Sequence, residues 1–189
     1  MRHIIIMLPC LLFCACVFGT SRNAIFYTQS AAISQSISDS YNLLIGINRI
    51  RMPKYLDRPQ MVTRQKDSVQ LTISEYNRWA ELPSVLATRV ITENLNTLLP
   101  SAQVKTNQLK GDRFDRTVTV EITDINAVSG EEAGLSAQYT IKDKTGKKIT
   151  HHKFSHTVKI GKTYDDLANG YSQLLAALSQ DIAGILIKE

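Results

Sequence analysis

The sequence predicts an α/β protein of the α+β type, with two long helices packed on a mixed, mainly antiparallel sheet in a single domain. Three observations carry this. Residues 79–99 and 164–187 repeat apolar side chains at helical spacing. Three successive stretches between 115 and 160 alternate apolar and polar residues across short turns. A length of 189 residues with 43% apolar content suits one core, and no internal repeat or low-complexity tail divides it.

The first 19 residues differ from the rest of the chain. Arg2 and His3 precede an apolar run from Ile4 to Phe13, broken only by Pro9 and Cys10, and small residues come next at Ala15 and Gly19. That layout predicts a secretory signal, too short for an ordinary membrane span. Cys10, Cys14 and Cys16 are the only cysteines, so the chain beyond Cys16 cannot form an internal disulfide. Phe13-Cys14-Ala15-Cys16 resembles a bacterial lipobox, in which cleavage before the final Cys frees a thiol for a diacylglycerol; Phe13 stands where Leu is usual. The plainer reading is a signal peptide with incidental cysteines. Acylation of Cys16 with a further N-acyl chain supplies the two or more chains that stable anchoring requires. Val17 stands next, not Asp, so the inner-membrane retention rule of many Gram-negative lipoproteins is not met. The expectation is an outer-membrane lipoprotein facing the periplasm, with residues 1–15 as signal, 16–23 as tether and 24–189 as the folded domain.

Within that domain, Ala24 to Gln29 reads as a first strand and the Ser-, Ala- and Gln-rich run from Ser30 to Ser40 as a loop. Tyr41 to Met52 predicts a second strand running into Pro53. Met61 to Thr63 and Val69 to Ile73 predict short strands around a turn at Gln65-Lys66-Asp67-Ser68. The first helix is predicted from about Trp79 to Leu99. Pro83 suits its first turn, where a missing N–H costs nothing, and Pro100 stops it. Ala87, Ile91, Leu95 and Leu98 form its apolar face, widened by Leu86 and Val90.

Val104 opens a short strand before a turn at Lys110-Gly111-Asp112. Asp115–Asn126, a strand through Leu135 and Ile141, and Lys148–Ile160 then predict an antiparallel meander, with Asp143-Lys144-Thr145-Gly146 as a hairpin turn. The closing helix, about Tyr164 to Ile187, carries a stripe of Leu167, Tyr171, Leu174, Leu175, Leu178, Ile182 and Ile185. Thr163 and Asp166 are spaced as a capping box at its start.

Little in the sequence speaks for chemistry. His151, His152 and His156 are the only histidine cluster; on a strand His152 and His156 share a face while His151 turns away, and no third ligand is nearby. No metal or cofactor is expected. Neither a G-x-S-x-G elbow nor a phosphate-binding G-x-x-x-x-G-K-[ST] loop is present. Asp165-Asp166 suits a helix start and Glu131-Glu132 a solvated turn. A formal charge of +5, scattered without a basic stripe, gives no support to nucleic-acid binding. No catalytic residue can be nominated, and an enzyme is not expected.

The stretch from Pro53 to Ala80 is the least easily explained as ordinary core or loop. Pro53 and Pro59 bracket Tyr55, Asp57 and Arg58, Gln60 and Arg64 come after them, and the only Trp, Trp79, closes the stretch. Prolines at these positions point to an edge or a connector. The aromatic residues and an Asp57/Arg58 pair can lock that connection onto the core. Tyr, Trp and Arg are equally the residue types that anchor interfaces, so Tyr55, Asp57, Arg58, Pro59, Gln60, Arg64 and Trp79 are candidate partner contacts.

Asp57-Arg58-Pro59-Gln60-Met61-Val62-Thr63-Arg64 followed by Arg78-Trp79-Ala80-Glu81 resembles the signature of the ABC-type transport auxiliary lipoproteins, in their PqiC-like branch. Leu82-Pro83 replaces the usual order of Pro then Leu after it. The resemblance implies a non-enzymatic lipoprotein subunit of an envelope lipid-transport system that supports membrane integrity. It would work with a periplasm-spanning MCE-domain (PqiB-like) protein, with outer-membrane lipid holding the acylated N-terminus. A homo-oligomeric ring would suit a part that caps a tube. The rival expectation is a periplasmic carrier that holds one lipid in a cavity between helices and sheet.

Overall fold

Each helix forms where an apolar period meets a supplied cap. In the computed structural model, which describes residues 22–107 and 113–189, α1 spans Pro83–Leu98 and α2 spans Tyr164–Leu186. The signal, Cys16 and the Lys110-Gly111-Asp112 turn lie outside the described residues. Pro83 occupies the first helical position of α1, and Leu82 before it offers no side-chain acceptor. The missing acceptor comes from far back in the chain: the Ser84 N–H donates to Asp57 Oδ1 at 3.0 Å. In α2 the capping box forms as expected. The Asp166 N–H donates to Thr163 Oγ1 at 3.1 Å and the Thr163 N–H donates to Asp166 Oδ2 at 2.9 Å.

The strands divide into two sheets where the sequence predicted one. The larger contains β2 (Leu44–Ile47), β5 (Gln103–Thr106), β6 (Arg116–Val128), β7 (Glu132–Asp143) and β8 (Lys148–Lys159), in the order β5-β2-β6-β7-β8. Its β6-β7-β8 part is the expected antiparallel meander, closed by Gly146 at φ 81° in the second turn. β2 runs parallel to both neighbours. The smaller sheet has the order β1-β4-β3, from β1 (Ile25–Tyr27), β3 (Gln60–Arg64) and β4 (Leu71–Trp79); β1 is parallel to β4 and β3 antiparallel to it.

β4 also runs further than predicted, and Trp79 ends a strand where it was expected to begin a helix. Its N–H donates to the Pro59 carbonyl at 2.6 Å, and the Ala80 N–H donates to the Tyr27 carbonyl at 2.8 Å. Those ladder bonds hold the backbone extended until Pro83 can start a helix.

Both helices bury the predicted faces. Leu86, Val90, Ile91 and Leu95 of α1, and Leu167, Leu174, Leu178 and Ile182 of α2, pack with Ile45, Ile47, Val118, Val120, Leu135 and Ile141 of the larger sheet; Ile185 is only partly buried. One polar bridge crosses this core, where Asn94 Nδ2 donates to Ser179 Oγ at 3.3 Å. Asn94 Oδ1 also accepts from the Ala32 N–H at 3.1 Å, tying the Ser30–Ser40 loop to α1. On β2, Gly46 leaves room for the buried Phe114 ring; an added Cβ would stand 2.6 Å from a ring carbon.

Candidate partner-docking site in the Pro53–Glu81 block

Pro53 begins a tight turn, its carbonyl accepting from the N–H groups of Leu56 and Asp57 at 2.9 and 3.1 Å. The turn buries Leu56 and leaves Tyr55 40% exposed. The Tyr55 hydroxyl donates to Asp124 Oδ1 on β6 at 3.1 Å, and Asn126 Nδ2 donates to the other oxygen of that carboxylate at 2.7 Å. Desolvation, and then the Asp124 charge, push the Tyr55 phenol above its ordinary range, while the nearby Arg64 opposes them. Tyr55, Arg64 and Asp124 thus form one cluster.

Asp57 and Arg58 do not pair with each other. Asp57 caps α1, and Arg58 Nε donates to Gln60 Oε1 at 3.1 Å. Pro59 stands exposed with its carbonyl held by the Trp79 N–H. Gln60 is half-buried, and so is Arg64, whose Nε is buried without an acceptor among the described residues.

Trp79 does not present itself to a partner. It is 4% exposed and stacks on Tyr171 of α2 with ring centroids 5.7 Å apart and planes 22° from parallel. A direct contact needs an accessible face, so Trp79 acts from the interior by holding β4 against α2. The block is therefore a connection fastened at several points: Tyr55 to β6, Asp57 to α1, the Pro59 carbonyl to β4, and Trp79 to α2. Lys54, Tyr55 and Pro59 form the outward side of its first segment, Pro53 to Gln60.

Asp124 and Tyr171 complete this site, and sequence reasoning did not single out Asp124. A signal for it exists. The buried positions of β6 are Val118, Val120 and Ile122, then Ile125 and Ala127. That change of parity marks the irregularity between Ile122 and Asp124, which moves Asp124 to where Tyr55 reaches it.

Between helices and sheets, beneath Trp79 and Tyr171, lies a cavity of about 20 Å³ bounded also by Gln29, Leu56 and Leu175. It has room for about one water. A wider open groove, about 740 Å³, lies along α1 and is lined by Arg49, Glu81, Arg89 and Glu93, with Thr106 of β5.

The histidines are dispersed. His151 Nδ1 lies 3.1 Å from Thr140 Oγ1, whereas His152 Nε2 lies 3.6 Å from Asp181 Oδ2. That carboxylate also accepts from the Tyr139 hydroxyl at 2.7 Å. Burial first, and then the Asp181 contact, raise the Tyr139 phenol far above its usual range. No group of three metal-binding side chains forms among the described residues.

Residues 27–183 match the family described as the ABC-type transport auxiliary lipoprotein component. The chain belongs to that family. Similar solved folds extend over nearly the whole of this auxiliary lipoprotein. One, an uncharacterized protein, is 22% identical with a TM-score of 0.73, covering 87% of this chain and 99% of its own. Another, protein XCC0632 from Xanthomonas campestris, assigned to family DUF330, is 10% identical with a TM-score of 0.73, covering 86% and 95%. At these identities the likeness establishes the fold. No curated protein gives a match. The PqiC-like auxiliary lipoproteins are components of ABC-type transport systems, with the envelope location that a lipid anchor implies.

Proposed function

We propose that this auxiliary lipoprotein is a non-enzymatic outer-membrane subunit of an MCE-type intermembrane lipid transport system, docking its periplasm-spanning partner at the outer membrane. The family match over residues 27–183 carries this reading, and the lipobox-like Phe13-Cys14-Ala15-Cys16 supports the anchor. The fastening of the Pro53–Glu81 block favours docking, because a loop held in place before binding loses little freedom on association. Tyr55 and Pro59, with Lys54 beside them, make the direct contact. Asp57, Arg58, Gln60, Arg64 and Trp79 hold them in position.

A carrier would need a cavity for acyl chains. The space between helices and sheets, about 20 Å³, is more than tenfold below the roughly 300 Å³ of even a small ligand pocket. Docking is the better account.

The test expresses the full chain and its Cys16→Ala variant in a Gram-negative host, with intact mass, membrane fractionation and capture of an MCE-domain partner from detergent as readouts. The wild type should carry acyl chains and fractionate with the outer membrane. Tyr55→Ala with Lys54→Glu should weaken capture without lowering the melting temperature by more than a few degrees. An unmodified wild-type mass would remove the anchor. One phospholipid recovered per chain, beyond the covalent acyl groups, would support the carrier. Light scattering of the acylated protein decides whether it forms a ring.

A further inference from the structure

The outer part of the smaller sheet carries an apolar and basic surface that the docking reading leaves unused. Phe26 is 63% exposed and Ile73 45%, and Tyr76 is exposed on the same sheet. Phe26 is in register with Arg78 across the β1–β4 pair. The Arg22 guanidinium lies 5.9 Å from the centre of the Tyr76 ring. Arg22, Ile73, Tyr76 and Arg78, with Gln60 and Glu75, line one open groove of about 460 Å³. Arg78 Nε donates to the Glu75 backbone carbonyl, and neither Arg22 nor Arg78 pairs with a carboxylate among the described residues. One edge of this sheet, β1, has a single neighbour.

The chain itself says what lies next to this surface. Arg22 is six residues beyond Cys16, and an extended chain spans at most about 3.5 Å per residue. On the lipoprotein reading, the first residue of the patch is then within about 20 Å of the acylated sulfur. An aromatic and aliphatic cluster flanked by arginines is the composition that settles at a bilayer surface. The rings sit at headgroup depth and the guanidinium groups meet anionic phosphates. With the tether holding the local concentration high, even a weak surface contact is populated.

We propose that this face, formed by Phe26, Ile73 and Tyr76 with Arg22 and Arg78, rests on the membrane surface and recognises anionic phospholipid headgroups. The proposal rests on the lipid-anchored reading. It adds an orientation: β1 and β4 lie against the bilayer, so the domain is seated on the membrane and does not swing freely on its tether.

The test uses the full-length acylated chain in vesicles of phosphatidylethanolamine with a minor share of phosphatidylglycerol, some of the lipid brominated on the acyl chain near the headgroup. Phe26→Trp is the reporter, and Lys144→Trp, at the β7–β8 hairpin tip of the other sheet, is the control; buried Trp79 is common to both. Phe26→Trp should be quenched at least about twofold more than the control. Arg22→Glu with Arg78→Glu, or omission of phosphatidylglycerol, should abolish the difference. Equal quenching of the two reporters in vesicle-bound protein overturns the seated face and leaves the anchor standing. A chain that does not float with the vesicles and shows no acyl mass overturns the anchor, and this proposal with it. If Phe26→Trp is not preferentially quenched and Phe26→Asp dissociates an oligomer in detergent, the face joins copies of the chain and the membrane contact is refuted.

Discussion

The Trp79 indole stacked on Tyr171 joins a strand of the smaller sheet to the long C-terminal helix through one aromatic contact. Its removal would empty a filled site in the core, so Trp79→Ala should cost about 3–5 kcal/mol in urea unfolding. Tyr55→Phe, which loses only a half-exposed hydrogen bond, should cost about 1 kcal/mol or less. Gly46→Ala tests packing of another kind. The new methyl would collide with the Phe114 ring, and the expected loss is about 1–3 kcal/mol, largely restored by adding Phe114→Leu. At this scale the sequence showed which residues were unusual and left their roles open. Trp79 lies among Arg78, Ala80 and Glu81, neighbours that fit an exposed anchor as readily as a core residue. The deciding partner, Tyr171, is supplied by another element far along the chain.

Among the elements, α2 was the most legible, because its stripe and its capping box are both local. The Thr163 hydroxyl, then the Thr163 backbone N–H, hold the Asp166 carboxyl below the ordinary carboxylate range. In the β7–β8 turn the Thr145 hydroxyl, then backbone N–H groups, do the same to Asp143. A carboxyl whose folded pKa is depressed stabilises fully above its unfolded pKa. That stabilisation is lost as pH falls through the lower folded value. Stability should therefore decline below about pH 4, and Asp166→Asn should flatten part of that decline in thermal melts from pH 7 to pH 2 while lowering the melting temperature at neutral pH. Pro83 was legible as a first-turn residue for the same local reason, although the helix was expected to begin earlier, at about Trp79. Its cap was not legible, since Asp57 arrives from a separate connection. The separation into two sheets was hidden too: alternation tells which face of a strand is buried, but not which strand lies beside it.

For the molecule as a whole, two sheets and two helices share one core, and the docking block is fastened to three elements outside itself, β6, α1 and α2. Global unfolding and loss of docking should then coincide. The sole Trp reports on the junction between the smaller sheet and α2, so its fluorescence, far-ultraviolet circular dichroism and partner capture should trace a single urea transition. A separate early transition in fluorescence would mean that the smaller sheet opens by itself.

β2 lies between β5 and β6 and is parallel to both, with Ile45 and Ile47 fully buried. A chain made from its N-terminus forward has β2 long before either flanking strand exists. Until β5 and then β6 arrive, two buried isoleucines and the backbone edges of β2 remain open to any other extended segment. Closing that gap is a long-range event, slow relative to formation of the local β6-β7-β8 meander. The centre of the larger sheet thus stays open longest after its first strand is made, and is the part most in need of shelter from aggregation while the chain is unfinished.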